Sequence, residues 1–138
     1  MADLTVTPAQ VLKGANAEIE SGRLAGEVID AGESVYLKAS DQKWWLADNG
    51  TAAEAAVKGI ALASATVAGQ PIDVQKGGTI TIGAGASVTA GLILVASANG
   101  GKLAAVADVT SGLFMTVIGI ADASDGIKLG IFTGAAHA

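Results

Sequence analysis

Gly59-Ile60-Ala61-Leu62-Ala63-Ser64 returns further along the chain as Gly119-Ile120-Ala121-Asp122-Ala123-Ser124. The echo extends backwards from both copies. Ala31-Gly32, Val35-Tyr36-Leu37, Lys43 and Ala47-Asp48 lead into the first copy. Ala90-Gly91, Leu94-Val95-Ala96, Lys102 and Ala107-Asp108 lead into the second, with one extra residue in the turn between. Hairpin, spacer and strand recur in the same order. A period of this size marks a repeated supersecondary unit that buries its apolar face against its twin. The two units span about 31–75 and 90–132.

Inside each unit the pattern is that of short strands. Ser34 to Lys38 and Lys43 to Ala47 flank the turn Ala39-Ser40-Asp41-Gln42. Gly59 to Leu62 and Pro71 to Gln75 follow, then Lys76-Gly77-Gly78 reads as a turn into the alternating Thr79-Ile80-Thr81-Ile82. In the second unit, Leu92 to Val95 and Lys102 to Ala105 flank Asn99-Gly100-Gly101, and Asn-Gly tolerates the positive φ of a tight hairpin. Leu113 to Ala121 is the longest expected strand, and its apolar character predicts burial on both faces; Asp125-Gly126 turns into Ile127 to Phe132. Thr51 with Glu54 three positions on forms a capping-box pattern, which predicts one short helix from Ala52 to about Val57, ended by Gly59. The expected fold is all-β: a small barrel or sandwich of two similar hairpin-containing units.

The totals agree. A chain of 138 residues with 19 Gly, two Pro and few aromatics suits a compact β domain with many tight turns. Its modest core makes self-association an expectation. Net charge is -5, and Arg23 is the only arginine among scattered lysines, which argues against nucleic acid. The stretch Gly77 to Gly101 carries no charge, but its Gly, Ser and Thr content and its period of two read as β, not as a membrane helix. Met1-Ala2-Asp3-Leu4 has neither the basic start nor the apolar block of a secretory signal.

Residues 1–23 read as an extended N-terminal arm and 24–138 as the β domain. The arm has few large apolar residues, so it is either a frayed terminus or a segment that orders on a partner surface. Trp44 and Trp45 are adjacent and face opposite sides of a strand. One fills the core; the other is an interface anchor or is covered within the subunit. Tyr36, Trp44, Trp45 and Arg23 are the candidate interface residues.

No catalytic constellation emerges. The single His, His137, sits in the tail, and there is no Cys, so triads and thiolate or His-built metal sites lack their parts. Glu18 and Glu20 lie in the polar arm and read as solvated. Asp122 and Asp125 lack the remaining ligands of a calcium loop and read as turn formers. In Gly100-Gly101-Lys102, Ala96 and Leu103 stand where a phosphate loop needs Gly and Ser or Thr, and Gly83-Ala84-Gly85 lacks the third Gly of a dinucleotide loop. Asn49-Gly50-Thr51 matches a glycosylation acceptor without a secretory signal to use it. The expectation is a non-enzyme with no cofactor.

The succession Ala31-Gly32-Glu33-Ser34-Val35-Tyr36-Leu37, Trp44-Trp45-Leu46-Ala47-Asp48, Gly59-Ile60-Ala61-Leu62 and Ala68-Gly69-Gln70-Pro71-Ile72-Asp73-Val74-Gln75 resembles the head decoration, or capsid cement, proteins of tailed bacteriophages. Gly77-Gly78-Thr79-Ile80-Thr81-Ile82-Gly83-Ala84-Gly85 and the ending Gly134-Ala135-Ala136-His137-Ala138 share the resemblance, which covers roughly Gly14 to the C-terminus. It implies a structural virion protein on the outer capsid surface, made in the bacterial cytoplasm. Its implied partners are the major capsid protein and itself, as a homotrimer, with no nucleic acid or membrane partner. Three other classes compete on the residues. A carbohydrate- or surface-binding β module needs exposed aromatics, for which Tyr36, Trp44 and Trp45 are the candidates. A glycosidase needs paired carboxylates, and the acids here are scattered in turns and the arm. A lipoyl-like carrier needs a hairpin-tip Lys with acidic flanks, which Lys76 lacks.

Overall fold

The computed structural model describes residues 3–86, 88–108 and 112–136. Its strands are β1 (Leu12–Lys13), β2 (Glu18–Glu20), β3 (Ser34–Leu37), β4 (Trp44–Leu46), β5 (Gly59–Ala61), β6 (Val74–Thr81), β7 (Ile93–Ala96), β8 (Leu103–Ala105), β9 (Phe114–Ala123) and β10 (Gly126–Ala136). They form one antiparallel sheet in the order β4-β3-β5-β6-β10-β9-β7-β8, with β1 and β2 also pairing with β6. The sheet curls into a half-barrel, and the fold is all-β.

The strand order has internal symmetry. β3 pairs with β4 and β5, and β5 with β6. β7 pairs with β8 and β9, and β9 with β10, and the two sets meet where β6 pairs with β10. The register repeats as well: Val35 lies opposite Gly59, and Leu94 opposite Gly119. The Gly32 N–H donates to the Ala61 carbonyl at 2.8 Å, and the Gly91 N–H to the Ala121 carbonyl at 2.7 Å. Both glycines hold left-handed φ, 90° and 93°, which L side chains rarely adopt. The shared glycine of the quoted hexapeptides has a packing cause. A Cβ on Gly59 would stand 2.4 Å from the Gln75 carbonyl oxygen, and one on Gly119 would stand 2.3 Å from that of Lys128.

Three local expectations are corrected. Thr51 and Glu54 do meet, with the Glu54 N–H donating to the Thr51 Oγ1 and that hydroxyl donating to the Glu54 carboxylate. The segment nevertheless closes a single turn, with one i to i+4 bond from the Ala55 N–H to the Thr51 carbonyl, and is not a helix running to Val57. So short a stretch cannot repay helix nucleation. Lys76-Gly77-Gly78 is not a turn either. β6 runs through it, because Glu18 pairs with Gly77 and Leu129 with Gly78. The buried Gln75 amide fastens this passage, donating to the Gly77 and Thr79 carbonyls at 2.9 and 2.7 Å. Finally, β9 is buried on one face only: Thr116, Ile118 and Ala121 are enclosed, while Ile120 is 48% exposed.

The leading residues lie against the body. Leu12 to Glu20 run along one edge of β6, opposite Thr81 to Val74. Asp3 bridges to Ala104 and the Leu4 N–H donates to the Leu103 carbonyl, so residues 3–4 cover the outer edge of β8. At the other end of the sheet, Leu24 to Gly26 bond to Trp44 and cover β4. Both terminal strands thus lose the unpaired edges that invite aggregation.

Two cores result. A larger one joins both units and contains Ile60, Ile80, Ile82, Leu94, Leu103, Ile118, Ala121 and Ile127, with Tyr36 packed against it. A smaller one lies between the strands of the first unit and the segments 25–29 and 65–72, and contains Trp44, Val35, Ile29, Val74 and Ile72.

Candidate interaction surface

The four residues singled out from sequence do not converge. Trp44 is 1% exposed in the smaller core, so it is a packing residue of this chain. Trp45 faces the other way, as adjacency in a strand requires. It is half-buried, and its own chain occupies it: Lys38 Nζ sits 4.3 Å from the ring centroid, and the indole N–H donates to the Asp41 carboxylate at 3.1 Å. Gly26 lies so close to the ring that a Cβ there would come 2.2 Å from Trp45 Cε2. Tyr36, opposite Trp45 in the ladder, is half-buried; burial chiefly, and then the carboxylates Glu54, Glu27, Asp48 and Asp41, push its phenol above the ordinary tyrosine range. Arg23 is paired with Glu20, which also meets Lys76 Nζ at 3.2 Å. The Arg23 hydrogen bond, aided by Lys76, holds the Glu20 carboxyl below the ordinary range against an opposing desolvation.

The segments searched for chemistry serve the architecture. Gly100-Gly101-Lys102 is the turn of the β7–β8 hairpin, and Lys102 Nζ lies 3.4 Å from the Glu33 carboxylate. Asp122 is in β9 and Asp125 in the turn to β10. Among the described residues no group of three or more His, Cys, Asp or Glu is placed to hold a metal ion. His137 lies outside the described residues. The uncharged stretch 77–101 contributes to β6 and β7, and no helix among the described residues is long and apolar enough to cross a membrane.

What sequence reasoning missed is a surface. Val117, Gly119, Ile120, Lys128, Leu129, Gly130 and Phe132 line a groove of about 230 Å³ on the outer face of β9 and β10. Phe132 is 72% exposed, Ile120 48%, and Ile93, opposite Ile120 in the ladder, 39%. Among the described residues Lys128 is the only charged one lining it. Scattered exposed apolar side chains are ordinary, but a contiguous patch marks an interaction site.

The repeat sharpens the contrast. In the first unit the row Ser34–Ile60–Gln75 crosses three strands and is fully buried. The corresponding row in the second unit, Ile93–Ile120–Lys128, is open. Ile60 and its neighbour Tyr36 are covered by the second unit, in the larger core. Among the described residues no third unit covers the outer face of the second. A signal was present in the sequence: the run Leu113 to Ala121 is apolar at both alternations, which reads as burial on two sides. In comparisons with protein-family models, curated proteins and solved structures, the chain has no match.

Proposed function

We propose that this chain is a structural virion protein that binds the outside of an assembled phage head and stabilises it, with the apolar face of β9 and β10 as its docking surface. The observation that carries the reading is the inequality of the repeat: Ile60 is enclosed, and its counterpart Ile120 lies open beside Phe132. An apolar sheet face left uncovered in a well-packed body calls for a protein surface. The resemblance of 31–37, 44–48, 59–62, 68–75 and 77–85 to capsid cement proteins supplies the kind of surface. A protein that binds the assembled lattice but not its free subunits stabilises the lattice by mass action. Contacts repeated around a shell, and within a homotrimer, add through multivalency.

The glycan-binding alternative draws less support. Trp44 is in the core, and Lys38 and Asp41 already engage Trp45, so these aromatics offer no open platform for a sugar ring.

The test is the protein composition of purified particles. The expected result is this chain in the head at a copy number comparable to that of the major shell protein. Its absence from particles overturns the proposal and makes a glycan array the next measurement.

A further inference from the structure

The chain contains the dipeptide Asn-Gly twice, at Asn49-Gly50 and Asn99-Gly100, and the two stand in opposite environments. Asn-Gly is the sequence most open to intramolecular attack, because glycine puts no side chain in the path of its own amide nitrogen. Asn49 is fully buried. Its Nδ2 donates to the Ala96 carbonyl at 3.1 Å, and the attacking nitrogen, that of Gly50, donates to Asp48 Oδ1 at 2.7 Å. Asn99 and Gly100 are exposed in the β7–β8 turn, and the Gly100 N–H has no hydrogen-bond partner among the described residues.

We infer that Asn99 is a self-modifying site whose deamidation releases the N-terminal strap from the edge of β8. The Gly100 nitrogen, deprotonated by hydroxide, bonds to the Asn99 side-chain carbonyl carbon. The carbon–Nδ2 bond breaks and ammonia leaves. Water then opens the cyclic imide at either carbonyl, giving aspartate or isoaspartate at position 99; no oxidant or reductant is needed.

The consequence follows from what Asn99 holds. Its Nδ2 donates to Asp3 Oδ2 at 2.8 Å, while Ser97 Oγ donates to Asp3 Oδ1. That clasp fixes the residues that pair with β8, through the Asp3–Ala104 bridge and the Leu4 to Leu103 hydrogen bond. Deamidation replaces the donor with a carboxylate facing a carboxylate. Like charges at hydrogen-bond distance repel, and both cannot remain ionised in contact. The strap lifts, and the outer edge of β8 becomes available for pairing. The inference is independent of the docking face on β9 and β10.

The experiment ages the full-length protein at mildly alkaline pH and maps the mass gain of one unit by peptide mass spectrometry. The gain is expected at Asn99 and not at Asn49. Gly100→Ala should suppress it without unfolding the chain, since a Cβ there meets Leu46 Cβ at an ordinary 3.5 Å. Hydrogen exchange at the Leu4 amide should then quicken on the order of tenfold in aged protein and in Asn99→Asp. Asp3→Asn combined with Asn99→Asp restores a donor–acceptor pair and should return exchange towards the wild-type rate. Conversion at Asn49 to the same extent, no conversion at Asn99, or an unchanged Leu4 amide in Asn99→Asp overturns the proposal.

Discussion

Two pairs of residues show how little a residue's identity says until its neighbours are known. Trp44 and Trp45 are chemically equal and adjacent, yet one is sealed in the smaller core and the other is clasped by Lys38 and Asp41 at the surface. Trp44→Ala should therefore cost about 3–5 kcal/mol, the usual range for a large aromatic removed from a core, read as a drop in urea midpoint at unchanged slope. Trp45→Ala should cost much less, and equal losses for the two would contradict the assignment. Gly59 and Gly119 behave as a pair because each lets a neighbouring carbonyl approach where a Cβ would collide. Alanine at either site should destabilise by about 1–3 kcal/mol, the range for overpacking a tight site. Alanine at Gly130, where an added Cβ meets nothing within 4 Å, supplies the control. Glu20 adds a small pH-dependent contribution. Its carboxyl is held low by Arg23 and Lys76, so the gain is present above the ordinary glutamate range and fades as pH falls through the lowered folded value. The pairs are partly exposed and screened, so Glu20→Gln should cost no more than about 0.5 kcal/mol at neutral pH. The difference from wild type should vanish in acid; a difference that grows on acidification would reverse the assigned direction.

At the scale of elements, the sequence disclosed the strands far better than it disclosed their surroundings. β3, β4, β5, β7, β8, β9 and β10 all fall within a few residues of their expected positions, because turn residues punctuate short β-branched runs and the repeat supplies each strand twice. β6 was hidden because Gly77-Gly78 reads locally as a turn; only its ladders with β2 and β10 make it continuous, and those partners are distant in sequence. The helix after Thr51 failed for the reverse reason, a correct cap on a segment too short to propagate. The leading segment is legible only as two short strand patterns, Gln10 to Lys13 and Ala17 to Glu20, within which β1 and β2 fall. Its polar, sparse composition gives no sign that backbone pairing with β6 and β8 holds it down. Removing residues 1–23 would strip β6 of one edge, uncover Val11's place in the larger core, and leave β8 open. Such a truncation should lower the urea midpoint of the whole body and promote association through bared edges, visible as concentration-dependent light scattering. A truncated chain with wild-type stability and no association would mean that the arm contributes nothing to the fold.

At the scale of the whole molecule, the two units are alike in register but unlike in cover. The strands of the first have the second unit on one face and the segments 25–29 and 65–72 on the other. Among the described residues the second has only its inner face covered, which leaves Ile93, Ile120, Val117 and Phe132 around an apolar groove rimmed by Lys128. A duplicated unit keeps the apolar pattern of its ancestor, so the last copy in a series either turns polar or finds something else to bury it. Here Ile120 has stayed apolar, which is why the open face reads as an interface and not as a cap. Charges at its centre should therefore separate binding from folding. Ile120→Lys and Phe132→Asp replace side chains that are about half and mostly exposed, so thermal stability should move little, whereas association with purified heads should weaken on the order of tenfold or more if these residues are buried anchors. Val67→Asp, at an exposed apolar position outside the groove, should leave association unchanged. Co-sedimentation of each variant with heads lacking the chain gives the comparison. If the groove variants bind like wild type while Val67→Asp does not, the docking face lies off β9 and β10, near the loop between β5 and β6, and the inequality of the repeats has another cause.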